Sequence, residues 1–235
     1  MKIALTPDWF LGIDVLIEIF SFMILFLFFI LCLKNYRLSK NKNSLYIGLG
    51  FFAIALAEIF TILTKLVLYY DTSFTQNIGH MVVTYNVVKS VDIFYYIGFF
   101  LHKLFTLMGL YIIYKIPTKK GITSDFFLVF YFLIISALFG NFFFYLFHIT
   151  ALLLLILIIG NYQDLYQKNK SGNTKTLLIA FAMLSLSQII FILSHIAILY
   201  AIAQTIQLIS YVILLILIVK ILEYGKKKKQ VRHNI

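Results

Sequence analysis

Residues 93–113, "IFYYIGFFLHKLFTLMGLYII", form an almost uninterrupted apolar run that carries an ionisable pair, His102 and Lys103, near its middle. About 20 apolar residues are enough to cross a bilayer core of about 30 Å, because each helical residue adds about 1.5 Å. Ionisable side chains are costly in lipid, so they usually face the interior of a helix bundle or a wet cavity. This segment therefore predicts a membrane helix with one polar face.

The composition extends this prediction to the whole chain. Of the 235 residues, 62% are hydrophobic and 12% are charged, and the mean hydropathy is +0.97. Soluble domains are about half apolar and about a quarter charged, so we expect an integral membrane protein built as one compact domain. The single cysteine, Cys32, excludes a disulfide within this sequence and a metal cluster held by cysteines.

The apolar runs predict an all-α bundle of seven transmembrane helices. Residues 175–224 form one run that would make a helix of about 75 Å, much longer than the bilayer is thick, so the run must fold back. Its least apolar point, near Tyr200–Gln204, is the predicted break. Residues 71–92 are predicted to form a polar outer loop that lies partly on the membrane surface. The seven predicted spans are 10–33, 45–70, 91–115, 125–139, 142–163, 175–199 and 203–224.

The basic residues predict the orientation of the bundle. Sixteen of the 20 Lys and Arg residues lie in the loops after the first, third and fifth spans or at the end of the chain. These segments share one side only if the number of spans is odd, and short loops rich in Lys and Arg lie in the cytoplasm. We therefore predict a transmembrane domain at 1–225 in the cell membrane, with its N-terminus outside, and a basic cytoplasmic tail at 226–235. Because the net charge of +11 lies where it would meet anionic lipid, we expect no nucleic-acid partner.

Polar side chains within the spans concentrate in the half nearer the predicted outer surface. The helical rise places Glu18 about 12 Å and His102 about 16 Å below that surface. The inner halves are plain apolar runs such as 152–159, "LLLLILII". This asymmetry predicts an outward-facing polar cavity lined by spans 1, 2, 3, 5, 6 and 7. The predicted ligand-binding residues are Glu18, Glu58, His102, Lys103, His148, Gln188, His195 and Gln207.

Two features of span 3 refine the prediction. Gly98 and Gly109 share a helical stripe with His102, which predicts that this stripe packs closely against a neighbouring helix. The Lys103 side chain points about 100° around the helix from that stripe, and it would pair with a carboxylate or extend to water. A simpler alternative is that each polar residue only joins two helices, through hydrogen bonds of about 0.6 kcal/mol each.

A metal or haem site would use the same histidines, and a retinal site would use a lysine. The imidazoles of His102, His148 and His195 would suit zinc, copper, iron or nickel, although no local spacing such as HExxH supports a metal site. Two of them could also bind a haem, but their predicted depths differ. A retinal protein would need a lysine in the middle of the last span, and Lys220 lies at its inner end. The cofactor stays open, and no enzymatic activity is predicted.

Residues 14–60, "DVLIEIFSFMILFLFFILCLKNYRLSKNKNSLYIGLGFFAIALAEIF", resemble the seven-helix sensor modules of the MASE-like type that precede histidine kinases and diguanylate cyclases in bacteria and archaea. Those modules share an acidic residue in span 1, a basic inner loop of the type NYR…K and glycine in span 2. The resemblance implies a sensor. No kinase or cyclase domain follows Lys229, so it also implies a stand-alone receptor or one that signals through a separate partner.

The sequence therefore favours a membrane sensor or accessory subunit that binds a small ligand, ion or proton in an outer-half polar cavity. A metal- or haem-binding redox membrane protein is one alternative, and a structural subunit of a larger membrane complex is another. The expected partners are the lipid bilayer and a protein in the membrane or the cytoplasm.

Overall fold

The computed structural model describes residues 7–40, 42–78, 81–116, 125–139, 144–194 and 196–233. These ranges contain a short 3-10 turn at Asp8–Phe10 and seven α-helices, and no strand. The all-α prediction is therefore confirmed for this part of the chain. The helices are α1 (Ile13–Ser39), α2 (Lys42–Ile78), α3 (Met81–Lys115), α4 (Asp125–Phe139), α5 (Phe144–Asn169), α6 (Gly172–Ile192) and α7 (Ala197–His233).

Six of these helices, all except α4, are long and apolar enough to cross a membrane. Their outward faces carry large exposed apolar side chains, such as Phe20, Leu153 and Ile198. Exposed apolar surface on this scale is rare in soluble monomers, so a lipid environment accounts for it. The chain is a multi-pass membrane protein. Helix α4 has 15 residues, fewer than the roughly 20 that a full crossing needs, so its role as a seventh span stays a prediction.

The six long helices form a closed ring. Around it, α1 packs on α2, α2 on α3, α3 on α5, α5 on α6, α6 on α7, and α7 returns to α1. Helix α4 lies outside the ring against α3 and α5. The centre of the ring is therefore shared by side chains from six helices, which makes it the natural place for a site built from distant parts of the sequence.

Helices α3 and α5 are neighbours in the ring and run parallel. The ring of His102, in the middle part of α3, lies 5.9 Å from the ring of Phe147, near the start of α5. Near their C-terminal ends, the Asn161 amide donates a hydrogen bond to the Tyr114 carbonyl oxygen, at 3.2 Å. Since both helices point the same way, the chain between them must return along the bundle, and α4 lies on that return path.

Helices α2 and α3 approach each other closely, as the glycines on the His102 stripe predict. A Cβ atom built on Gly109 would lie 2.5 Å from the Gly50 carbonyl oxygen, and one on Gly50 would lie 2.9 Å from the Gly109 carbonyl oxygen. No side chain larger than hydrogen fits either position without moving the helices apart. This contact sets the distance between the two helices that carry Glu58 and His102.

Two predicted boundaries are wrong. Helix α6 ends at Ile192 and α7 begins at Ala197, so the break precedes the predicted Tyr200–Gln204. The amides of Leu193 and Ser194 donate to carbonyl oxygens three residues back, and the Ser194 hydroxyl donates to the Phe191 carbonyl oxygen at 2.7 Å. These tightened bonds end the helix without glycine or proline.

The second error concerns residues 71–92, predicted as a polar loop. Helix α2 continues to Ile78 and α3 begins at Met81, so the described part of this segment is helical. This segment is polar because it lies beyond the apolar run of each helix. It is still helical because helix propensity does not require apolar residues. Residues 226–233 of the predicted tail likewise continue α7 as a helix.

Apolar and polar side chains divide the bundle into two layers. The apolar layer lies toward the basic loops, where Phe28, Phe51 and Phe181 belong to one large buried cluster with residues of all seven helices. The polar layer occupies the opposite half of α1, α2, α3, α5, α6 and α7. A small apolar cluster that includes Phe10 and Ala201 packs near the starts of α1 and α7. The polar layer is thus enclosed by packed apolar groups.

Candidate ligand cavity

A cavity of about 130 Å³ lies inside the ring, and residues of all six ring helices line it. A cavity of about 150 Å³ is large enough for a six-membered carbon ring, so this space fits a small molecule or several waters. Seven of the eight predicted ligand-binding residues line it, and the eighth, His195, lies outside the described residues. The seven are Glu18, Glu58, His102, Lys103, His148, Gln188 and Gln207. Whether they bind a ligand stays a prediction.

Lys65 is the centre of the most strongly charged part of the site. Its Nζ lies 2.6 Å from Asp14 Oδ2, 2.5 Å from Glu18 Oε1 and 3.2 Å from the Tyr200 hydroxyl. All three charged side chains are buried. A single ammonium group from α2 therefore holds α1 through two carboxylates and α7 through a phenol.

Asp14 also shapes the start of α1. Its Oδ1 accepts hydrogen bonds from the amides of Gly12, at 3.0 Å, and Val15, at 2.9 Å. These bonds satisfy donors that the first helical turn leaves unpaired. Gly12 itself has φ +85°, a left-handed conformation that a larger residue would adopt only with strain. The local chain thus fixes one carboxylate oxygen and presents the other to Lys65.

Glu58 connects α2 to α7 by a second route. Its Oε1 accepts a hydrogen bond from Gln207 Nε2, at 3.2 Å, and another from the Tyr211 hydroxyl, at 3.3 Å. Both donors are neutral groups, although Glu58 is buried. Its carboxylate therefore differs from that of Glu18, which contacts an ammonium group directly.

The two histidines that line the cavity have fixed ring orientations. His102 Nδ1 lies 2.6 Å from Thr61 Oγ1 and 3.1 Å from the Ala57 carbonyl oxygen, so it joins α3 to α2. His148 Nδ1 lies 2.7 Å from Gln188 Oε1 and joins α5 to α6. A carbonyl or amide oxygen only accepts, so a ring nitrogen that bonds to it carries the hydrogen.

Aromatic rings separate these histidines. Phe147 lies 5.9 Å from the His102 ring and 4.9 Å from the His148 ring, between ring centroids. Phe191 stacks on His148 at 4.9 Å. Among the residues that the structure describes, no group of three or more His, Cys, Asp or Glu side chains is placed to hold a metal ion. A site that includes His195 falls outside those residues, so the metal alternative stays open.

Two buried oxygen atoms at the cavity lack hydrogen-bond partners within the described part of the chain. They are Glu18 Oε2 and Thr106 Oγ1, and both residues line the cavity. A buried polar atom without a partner costs about 1–3 kcal/mol, and more if it is charged. Each of these two cavity-lining residues therefore has an oxygen atom that would gain from a donor supplied by a bound molecule.

Sequence reasoning missed several groups that complete this site. Lys65 and Asp14 lie on the polar helix faces that the sequence predicts, but they are absent from the predicted site. Tyr200 is also absent from it, because the predicted break between the last two spans falls on this residue. One signal was present: Asp14 and Glu18 are four residues apart, so they lie on one helix face and can share a cation. The identity of that cation depended on which helix packs next to α1.

No protein-family model, curated protein or solved structure matches the chain. The resemblance to MASE-like sensor modules therefore stays a prediction, and the function is argued from the geometry of the cavity.

Proposed function

We propose that the chain is a membrane sensor, or the sensing subunit of a complex, whose central cavity binds a small ligand. The observation that supports this most is the convergence of polar side chains from six helices on one cavity. If the polar groups served only to join neighbouring helices, each would be satisfied by its neighbour and no shared space would remain. Here Glu18 and Thr106 line the cavity, and each has a buried oxygen atom without a partner among the described residues.

Helix α7 is the proposed output element. It contacts the charged groups of α2 twice, through Tyr200 to Lys65 and through Gln207 and Tyr211 to Glu58. With 37 residues it is about 55 Å long, so it extends beyond a bilayer core of about 30 Å. Sensing would require two arrangements of α7, and a ligand shifts the balance between them only if it binds one more tightly than the other.

The proposal includes an orientation with the N-terminus outside the cell membrane and the basic extension of α7 in the cytoplasm. The distribution of Lys and Arg supports it. The parallel α3 and α5 also support a seventh crossing at α4, because the chain must return between them. Fusion of a reporter active only in the cytoplasm to either end tests this: activity at the C-terminus alone is expected, and equal activity at both ends would contradict it.

Cysteine labelling tests whether small molecules reach the cavity. In a Cys32→Ala background, we expect Thr106→Cys to react with methyl methanethiosulfonate, a small neutral reagent, in membranes. Leu107→Cys is the matched control, because Leu107 is fully buried in the apolar core beside Thr106 and does not line the cavity. Equal rates at both positions, or no reaction at Thr106→Cys, would contradict the proposal.

The alternative of a metal- or haem-binding redox protein makes a different prediction. A haem protein shows a Soret band, and a copper or zinc protein purifies with a stoichiometric amount of the metal. We expect neither in the purified chain, and an optical spectrum with metal analysis decides the matter.

A further inference from the structure

We infer that the cavity binds a small molecule carrying a protonated primary amine. This inference rests on the proposed function, since it names the ligand class of the same cavity. The balance of charges is the first argument. On α1 and α2, three buried carboxylates, Asp14, Glu18 and Glu58, accompany one buried ammonium group, that of Lys65. Lys103, on α3, supplies a second ammonium group at the cavity wall. With all five groups ionised, these described side chains carry one more negative than positive charge, and a ligand with one positive charge balances them.

The position of the unpartnered oxygen is the second argument. Glu18 lines the cavity and is 2% exposed. Its Oε1 bonds to Lys65, and its Oε2 is buried without a partner among the described residues. An ionised carboxylate accepts and never donates, so only a donor satisfies this atom. A charged donor forms the stronger bond. Glu58, which lines the same cavity, is bonded by neutral donors of α7 and offers a second acceptor.

The environment already binds an ammonium group. Lys65 Nζ bonds to oxygen atoms of Asp14, Glu18 and Tyr200. Phe99 and Phe191 line the same cavity and would surround the methylene groups of a small amine.

The size of the cavity favours a molecule over a single ion. A volume of about 130 Å³ equals roughly four waters at about 30 Å³ each. A bare cation would leave most of this space unfilled, whereas an amine of about five to seven non-hydrogen atoms fills it. An alkylamine brings the one positive charge that the balance requires, without a carboxylate.

Four probes of the same chain length separate these chemistries: n-butylamine, butyrate, 1-butanol and 4-aminobutyrate. Equilibrium binding of the radiolabelled probes to the full chain in nanodiscs is measured, with empty nanodiscs subtracted. We expect saturable binding of n-butylamine that exceeds that of butyrate and 1-butanol. Weaker binding of 4-aminobutyrate than of n-butylamine is expected, because its carboxylate cancels the charge of its ammonium group, and stronger binding would contradict the charge balance.

Two isosteric variants locate the ammonium group. Glu58→Gln and Glu18→Gln should each weaken n-butylamine binding by at least about tenfold, because a hydrogen bond to a charged group contributes at least that factor. Glu58→Gln can keep its bonds to α7, so it remains informative if Glu18→Gln fails to fold. Asp164→Asn, an exposed position at the far end of α5, is the matched control. Ala151→Phe, which fills the cavity, should abolish binding.

The inference is overturned if n-butylamine does not bind, if butyrate or 1-butanol binds more tightly, or if both Gln variants bind n-butylamine normally. These outcomes are distinct from failure of the proposed function. Labelling of Thr106→Cys without amine binding would keep an accessible cavity and reject this ligand class. Failure of that labelling would reject the cavity itself.

Discussion

The two layers of the bundle are built from the same helices by different physical means. In the apolar layer, Leu107, Ile113 and Leu214 are fully buried by non-directional packing. In the polar layer, Lys65 and Glu58 rely on directional contacts whose distances and partners are specific. Lipid tails are as apolar as leucine, so the first layer could be extended through the whole bundle without loss of solubility in the membrane. Burying the charged and polar groups of the second layer costs free energy, and that cost is the reason to assign the proposed function to this layer.

The largest expected effect is that of removing the shared ammonium group. Lys65→Met keeps most of the length of the side chain but leaves Asp14 and Glu18 buried without the ammonium group that each contacts. We expect the free energy of unfolding to fall by about 3–5 kcal/mol, the usual cost of breaking a buried ion pair. A denaturant titration in mixed micelles measures it.

Lys42→Met is the control, since Lys42 is exposed at the start of α2. Adding Asp14→Asn and Glu18→Gln to Lys65→Met should recover most of the loss, because no buried charge then remains in the triad. If Lys65→Met is as stable as Lys42→Met, the polar layer is hydrated and does not differ physically from an exposed surface.

The close approach of α2 and α3 gives the next largest effect. Gly109→Ala would place a methyl group 2.5 Å from the Gly50 carbonyl oxygen, so the helices must separate. We expect a loss of about 1–3 kcal/mol, as for other overpacked sites. Gly160→Ala is the matched control, because a Cβ atom built on Gly160 would have nothing within 4 Å, and it should be neutral or stabilising. Equal effects in the same titration would show that α2 and α3 can adjust freely.

The comparison of the layers also shows what the sequence could predict. Residue periodicity and the rise per residue are local properties, so they placed Glu18, Glu58 and His102 at similar depths and on polar helix faces. They could not identify Lys65 as the partner of Glu18, because that pairing depends on α1 and α2 being neighbours in the ring. The predicted break fell on Tyr200 for a related reason: a polar residue is equally expected in a loop and beside a buried charge.

The hydrogen bond between α5 and α6 provides a smaller test within the polar layer. Gln188→Leu leaves His148 Nδ1 without its acceptor at 2.7 Å, and we expect a loss of about 1–2 kcal/mol in the same titration. Replacing both partners, with His148→Phe added, should restore most of the stability, because neither side chain of this pair then needs a hydrogen-bond partner. If the double variant is less stable than Gln188→Leu, His148 has a separate structural role.

The smallest effect is expected in the apolar layer and tests whether the two layers are independent. Leu214→Met nearly conserves volume at a fully buried position, so the loss should stay below about 1.5 kcal/mol. The labelling rate of Thr106→Cys should also stay unchanged, because Leu214 does not line the cavity. Gln188→Leu, which alters a cavity-lining residue, should change that rate. If Leu214→Met changes it equally, packing near the basic loops controls access to the polar layer, and the cavity and core must be treated as one coupled unit.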